Sequence, residues 1–158
     1  MQDPPIWQRL LAAAAYLLPW SDAIPFGRAL FGLFPALQWL SVPALPLAVL
    51  EQAVPFGGLV LFLVLYLAVV RNPRVPYGIR FNVLQAILID IVLVLVSLAS
   101  MAFQLLLSPL GGGFAYRTLS NTVFLGALVL VAFGVIQNLR GKDADLPTLS
   151  EAVRMQLY

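Results

Sequence analysis

The chain has 158 residues, of which 61% are hydrophobic and 10% charged, with a net charge of +2. Soluble domains carry about 25% charged residues, so this composition excludes a soluble globule and points to a small polytopic membrane protein, all-α, folded as one helical bundle. There is no cysteine and no histidine, which removes disulfides, thiol and Ser-His nucleophiles, haem ligation by histidine, and thiolate or HExxH zinc sites. So small a charge imbalance gives no footing for nucleic acid.

The start, Met1-Gln2-Asp3-Pro4-Pro5, has neither the positive n-region of a signal peptide nor the Ser/Arg-rich character of a transit peptide. The chain is therefore expected to insert by its own helices. Residues 6–20 are apolar but short, with Arg9 near their start and Pro19-Trp20 at their end. Residues 29–50 are uncharged but contain Pro35, Pro43 and Pro46. Each interior proline removes a helix hydrogen bond and clashes with the preceding turn. Residues 6–50 are read as one net crossing with a proline-broken, re-entrant or interfacial segment; two ordinary spans are the alternative.

Three further spans are expected over residues 53–70, 81–107 and 119–139, each near or above the roughly 20 residues a crossing needs. Four net crossings result. Ser108–Tyr116, with Gly111, Gly112 and Gly113, reads as a turn. It lacks the preceding strand and the following Lys-Ser/Thr of a phosphate loop. Residues 143–158 read as a short amphipathic tail. Thr148 and Glu151 have capping-box spacing, and Leu149, Ala152, Val153 and Leu157 can share one helix face. Docking on its own bundle is the simplest expectation for this tail, with the membrane surface or a partner as alternatives.

Arginines set the orientation. Arg71, Arg74 and Arg80 lie in the linker before the second long span, and Arg140, Lys142 and Arg154 follow the last span. The loop between the last two spans carries only Arg117. The positive-inside rule then puts linker and tail, and both termini, on the cytoplasmic side or its plastid equivalent.

The most informative residue is Asp90, at the middle of an apolar helix. An ionisable group there costs about 2.5–3.5 kcal/mol on insertion scales, so it calls for a partner, a wet cavity or a function. At about 100° per residue, Asn82, Ala86, Asp90, Ser97, Ser100 and Gln104 fall on one face, with Gln85 at its flank. Two readings stay open. The stripe is a packed interface, with Asp90 bonded to groups such as Tyr66, Asn121, Thr122 or Gln137, or to backbone freed by the prolines; the last span offers Thr122, Gly126, Gly134 and Gln137 as a matching face. Otherwise the stripe borders a polar path or receives a partner's basic group. Asp90 is read as a lone acid, which makes a poor proton relay. No nucleophile–base pair can be assembled, so no enzyme is expected. No cofactor or metal is evident, and apolar grooves leave room for bound lipid or pigment.

Arg71-Asn72 together with Arg80-Phe81-Asn82-x-x-Gln85-Ala86-x-x-x-Asp90-Ile91 resembles a family signature. It is similar to that of the twenty-kilodalton subunit of the translocon at the inner envelope membrane of chloroplasts, the Tic-twenty family, which also has cyanobacterial members. Ala15-Tyr16-Leu17-Leu18-Pro19 with Asp22, Pro55-Phe56, Asn121-Thr122-Val123-Phe124, Gly141 and Pro147-x-x-Ser150-x-Ala152-Val153 extend the resemblance over nearly the whole chain. The resemblance implies four transmembrane helices, both termini on the stromal or cytoplasmic side, no catalysis, and a channel-forming or channel-bordering role in preprotein import. Implied partners are membrane lipid, other membrane subunits and a translocating polypeptide. With no targeting extension apparent, a cyanobacterial plasma or thylakoid membrane is the expected location, and the plastid inner envelope is the alternative. The competing function is a structural or assembly subunit of another membrane complex, such as a photosynthetic one.

Overall fold

The computed structural model describes residues 4–107, 109 and 111–157, and these are mostly helical, with no strand among them. Ser108 and Leu110 of the expected turn and Tyr158 of the tail lie outside the described residues. The helices are α1 (Ile6–Ala14), α2 (Leu17–Ala23), α3 (Arg28–Leu33), α4 (Leu45–Ala53), α5 (Gly57–Leu65), α6 (Tyr77–Leu107), α7 (Gly113–Leu139) and α8 (Leu149–Leu157). Tight 3-10 turns join α2 to α3 and α3 to α4, and a short π segment, Tyr66–Val70, continues α5.

Prolines explain the broken first half. The residue before a proline is pushed out of helical conformation. Phe34, before Pro35, has φ −128° and ψ 84°, and ends α3. Val54, before Pro55, has φ −126° and ψ 135°, and ends α4. Phe56 then turns left-handed at φ 57°. Gly57 is needed at this point because any β-carbon there would run into the Glu51 carbonyl. The outcome is a bend of 107° between Pro35–Ala53 and Gly57–Val70. The expected span over residues 53–70 is thereby corrected, since its helix begins at Gly57. From there to Val70 it covers only about 21 Å, short of a hydrocarbon core of about 30 Å.

Among the described residues two helices are long and apolar enough to cross a membrane, Tyr77–Leu106 and Gly113–Leu139, or up to three if the bent pair counts as one span. Both begin earlier than expected, by four residues for α6 (77 against 81) and six for α7 (113 against 119). At 31 residues, α6 is about 46 Å long. The side chains facing away from the bundle are apolar, among them Leu95 and Leu98 on α6 and Val129 and Ile136 on α7. Such a surface is costly in water and suits lipid.

The core is aromatic where the broken segment meets α7. Phe124 takes Trp20 at a ring distance of 5.5 Å and Phe31 edge-on at 5.3 Å. Trp20 gives its indole N–H to the Leu40 carbonyl at 2.8 Å, which satisfies the one polar atom such a ring brings inside. Gly27 lets the backbone close on this group, since a β-carbon there would lie 2.8 Å from both the Phe124 and the Phe31 rings. On α7 the buried positions are Ser120, Phe124, Ala127, Val131, Gly134 and Asn138, one helical stripe. Thr122 and Gly126, expected on that face, are exposed, and Thr122 returns its hydroxyl to the Thr118 carbonyl at 2.9 Å.

The tail helix α8 lies against α6. Val153 is fully buried in a cluster with Phe81, Leu84 and Ile87. The expected capping box does not form. Thr148 has φ 64° and donates its hydroxyl to the Pro147 carbonyl at 2.6 Å. Ser150 takes over the turn, accepting the Leu146 N–H at 2.7 Å.

Gly134 lies flat against the Tyr16 ring, with no room for a β-carbon. Gly134→Ala is therefore expected to cost about 1–3 kcal/mol by overpacking, read as a lowered melting temperature in detergent. Gly126→Ala, where a β-carbon meets open space, should leave the melting temperature unchanged.

Candidate functional site

The polar stripe of α6 divides into three zones. The first is a closed hydrogen-bond knot near the start of the helix. Tyr16 donates its hydroxyl to Asn82 Oδ1 at 3.1 Å, and Gln85 Nε2 donates to the Tyr16 oxygen at 2.9 Å. Asn138 Nδ2 donates to the same Asn82 Oδ1 at 2.8 Å and to the Gly134 carbonyl at 2.7 Å. Gln85 Nε2 also reaches the Ala144 carbonyl at 2.8 Å, and Gln85 Oε1 accepts the Ser150 hydroxyl at 2.9 Å. Asn82 closes the set by donating to the Gly78 carbonyl at 2.8 Å. Tyr16, Asn82, Gln85, Asn138 and Ser150 are all buried. Asn82 and Gln85 thus have fixed structural partners, two of which, Tyr16 and Asn138, were not among the groups expected to face the stripe.

The second zone is Asp90, and it is not alone. Asp22, on α2, and Glu51, at the end of α4, line the same groove as Asp90. Ser21 donates its hydroxyl to Glu51 Oε2 at 3.4 Å. Asp90 Oδ1 has no hydrogen-bond partner although the residue is only 9% exposed. The expected partners Tyr66, Asn121, Thr122 and Gln137 do not hold it. Asp22 and Glu51 escaped notice because each sits in the short, proline-interrupted helices of the first third, where periodicity is too brief to assign a face.

The third zone opens. Ser97, Ser100 and Gln104 line a cavity of about 720 Å³ together with Asp22, Arg28, Tyr116, Arg117 and Ser120. Ser97 and Gln104 are exposed, and Ser100 is buried with its hydroxyl on the Ser97 carbonyl at 2.8 Å. The cavity carries two exposed arginines, Arg28 and Arg117, so it is a charged, wettable cleft on a membrane helix. Asp22 borders both this cleft and the acidic zone.

The positive boundary gathers at the knot's end of the bundle. The Asn82–Asn138 bond brings the start of α6 to the end of α7, which groups Arg80 with Arg140. Arg80 is half-buried and donates from Nε to the Val70 carbonyl at 2.8 Å, closing the π segment. Arg71, Arg74 and Arg140 are exposed. On the tail, Arg154 pairs with Asp145 at 3.2 Å and stands 5.7 Å over the Phe81 ring. The ion pair is exposed and contributes little. Burial pushes the Asp143 carboxyl up, and Arg154 pulls it the other way.

Ser150→Ala strands a buried Gln85 oxygen and the Leu146 N–H, each about 1–3 kcal/mol when left unpaired. Amide exchange is expected to accelerate at Leu146 and through α8 while the centres of α6 and α7 stay protected. Unchanged exchange in the tail would show that the Gln85–Ser150 bond does not hold it.

The sequence matches the family model described as "Chloroplast import apparatus Tic20-like" over residues 1–153. It is 40% identical over 150 residues to a "Tic20 family protein" of Synechocystis, covering 94% of this chain and 92% of that one. It is 33% identical over 156 residues to "Protein TIC 20-II, chloroplastic" of Arabidopsis thaliana, covering 97% and 74%. It is 30% identical over 164 residues to the "Tic20 family protein Ycf60" of Gracilaria tenuistipitata, covering 99% and 78%. With a match this long, running from the first helix into α8, the chain belongs to the Tic20 family.

Proposed function

We propose that this protein is a non-enzymatic integral membrane subunit of a translocon-type complex, with the polar cleft at Ser97, Ser100 and Gln104 bordering the route of a passing polypeptide. The observation that carries this reading is the cleft itself. A cavity of about 720 Å³ with two arginines and an aspartate in its lining has no use for a helix that only packs in lipid. Polar groups at membrane depth mark pathways or partners as a rule. The family model's description, "Chloroplast import apparatus Tic20-like", supports reading the cargo as an imported polypeptide.

The topology that fits is four crossings, with residues 6–50 supplying the first through their broken helices and the bent α4–α5 pair supplying the second. Both termini then share the cytoplasmic or stromal side with Arg71, Arg74, Arg80 and Arg140. The Synechocystis relative, at 40% identity, favours a cyanobacterial plasma or thylakoid membrane. In this reading the hydrogen-bond knot blocks the path at the tail's end, and the cleft faces the opposite side.

The chain has no native cysteine, so single cysteines report cleanly. Cysteine at Ser97 or Gln104 should react with a membrane-impermeant maleimide added to the side opposite the tail, and cysteine at the buried Leu84 should not. In the assembled complex, the same two positions should cross-link to an arrested translocating chain. Full protection of both positions, with only photosynthetic or respiratory subunits recovered on native purification, would overturn this reading in favour of an assembly subunit.

A further inference from the structure

Between α5 and α6 an apolar groove of about 350 Å³ runs along the outer face of the bundle. Its walls are Leu59, Phe62, Ile91, Val94 and Leu95, and at its floor stand Asp22, Glu51 and Asp90. Leu59, Ile91, Val94 and Leu95 are all exposed on this side. The polar lining is acidic, with no lysine or arginine among the described residues that form it. Asp90 is one of those residues, and its Oδ1 is buried with no hydrogen-bond partner among the described residues.

We propose that the Asp22–Glu51–Asp90 cluster is a binding site for one basic side chain, lysine or arginine, carried at mid-depth by a transmembrane helix of another polypeptide lying in the α5–α6 groove.

Charge complementarity selects the chemistry. Three carboxyls lining one apolar groove disfavour one another's charge, and a cation among them relieves that. An ammonium or guanidinium supplies that charge and a donor for the free Oδ1. The walls select the carrier. The groove opens through apolar side chains towards lipid, a route for a hydrophobic helix and a barrier to a hydrated ion. Position excludes a second copy of this chain. Its long helices carry cations only near their ends, Arg80 in α6 and Arg117 in α7, whereas Asp90 lies about 20 Å into α6. Gly58 provides the close approach, since a β-carbon there would meet open space. Small residues at such a place let a second helix backbone come near.

This inference goes beyond the translocon reading and does not depend on it. The experiment uses the full-length protein in phosphatidylcholine vesicles, with Val92→Cys carrying a donor fluorophore on the outer face of α6 beside the groove. The probe is a synthetic leucine-alanine transmembrane peptide of about 21 residues with an acceptor fluorophore and one central lysine, compared with the same peptide bearing central leucine. The lysine peptide is expected to associate about tenfold more tightly than the leucine peptide. That preference should vanish in Glu51→Gln/Asp90→Asn. Gly58→Leu keeps the acids and fills the groove, and should weaken the lysine peptide towards the level of the leucine one. Equal association of the two peptides with the unsubstituted protein would overturn the proposal, as would a lysine preference that survives either variant. A protein that prefers the lysine peptide yet shows no cross-link to a translocating chain would keep this site and lose the translocon role.

Discussion

The hydrogen-bond knot of Tyr16, Asn82, Gln85, Asn138 and Ser150 is the constraint on which the rest of the bundle depends. In a low-dielectric interior, each unpaired polar group is costly and each satisfied one is directional. Asn82 Oδ1 takes two donors from two different segments, Tyr16 and Asn138. Gln85 is engaged at both ends, towards Tyr16 and Ala144 through its nitrogen and towards Ser150 through its oxygen. The first helices, both long helices and the tail are therefore indexed to one point. Between lipid-facing helices there is no hydrophobic force to set register, so a fully paired polar cluster is the natural device for it.

The zones beyond the knot follow from it. Once Tyr16 is fixed against Gly134, α2 runs on along α6 and α7 and brings Trp20 to Phe124 and Asp22 to Asp90. The proline-broken stretch from Pro35 to Ala53 then returns across the bundle and delivers Glu51 to the same depth. Where these short elements run out, α6 continues with polar groups that face α7 across an open cleft. The cleft at Ser97 and Gln104 is the consequence of pairing one very long helix with short, broken ones.

Much of this was legible in the sequence, and the exceptions have physical causes. Long apolar segments announce themselves, and the two longest coincide with the membrane-length helices α6 and α7. The polar stripe from Asn82 to Gln104 was visible as a pattern, but a pattern does not say what lies opposite. On α7, Gln137 stood out as the polar candidate, whereas it is the adjacent Asn138 that faces inward; one residue is 100° of rotation. Helix starts were set too late because Tyr77, Gly78, Gly113 and Tyr116 read as loop chemistry. Thr148 and Glu151 matched a capping pattern, but Ser150 is drawn to Gln85 and takes the turn with it. Asp22 and Glu51 were hidden most deeply, since each meets Asp90 through backbone breaks that only the tertiary fold resolves.

The bend at Val54–Gly57 has a consequence of its own. Its sharpness comes from a left-handed Phe56 and from a glycine pressed on the Glu51 carbonyl. The residue that anchors the corner is therefore the one whose side chain supplies the third carboxyl of the groove. Any force that flexes the corner, whether lateral pressure from the bilayer or a neighbouring subunit leaning on α5, also moves that carboxyl relative to Asp22 and Asp90. Mechanical strain and intramembrane electrostatics are thereby geared together through a single residue.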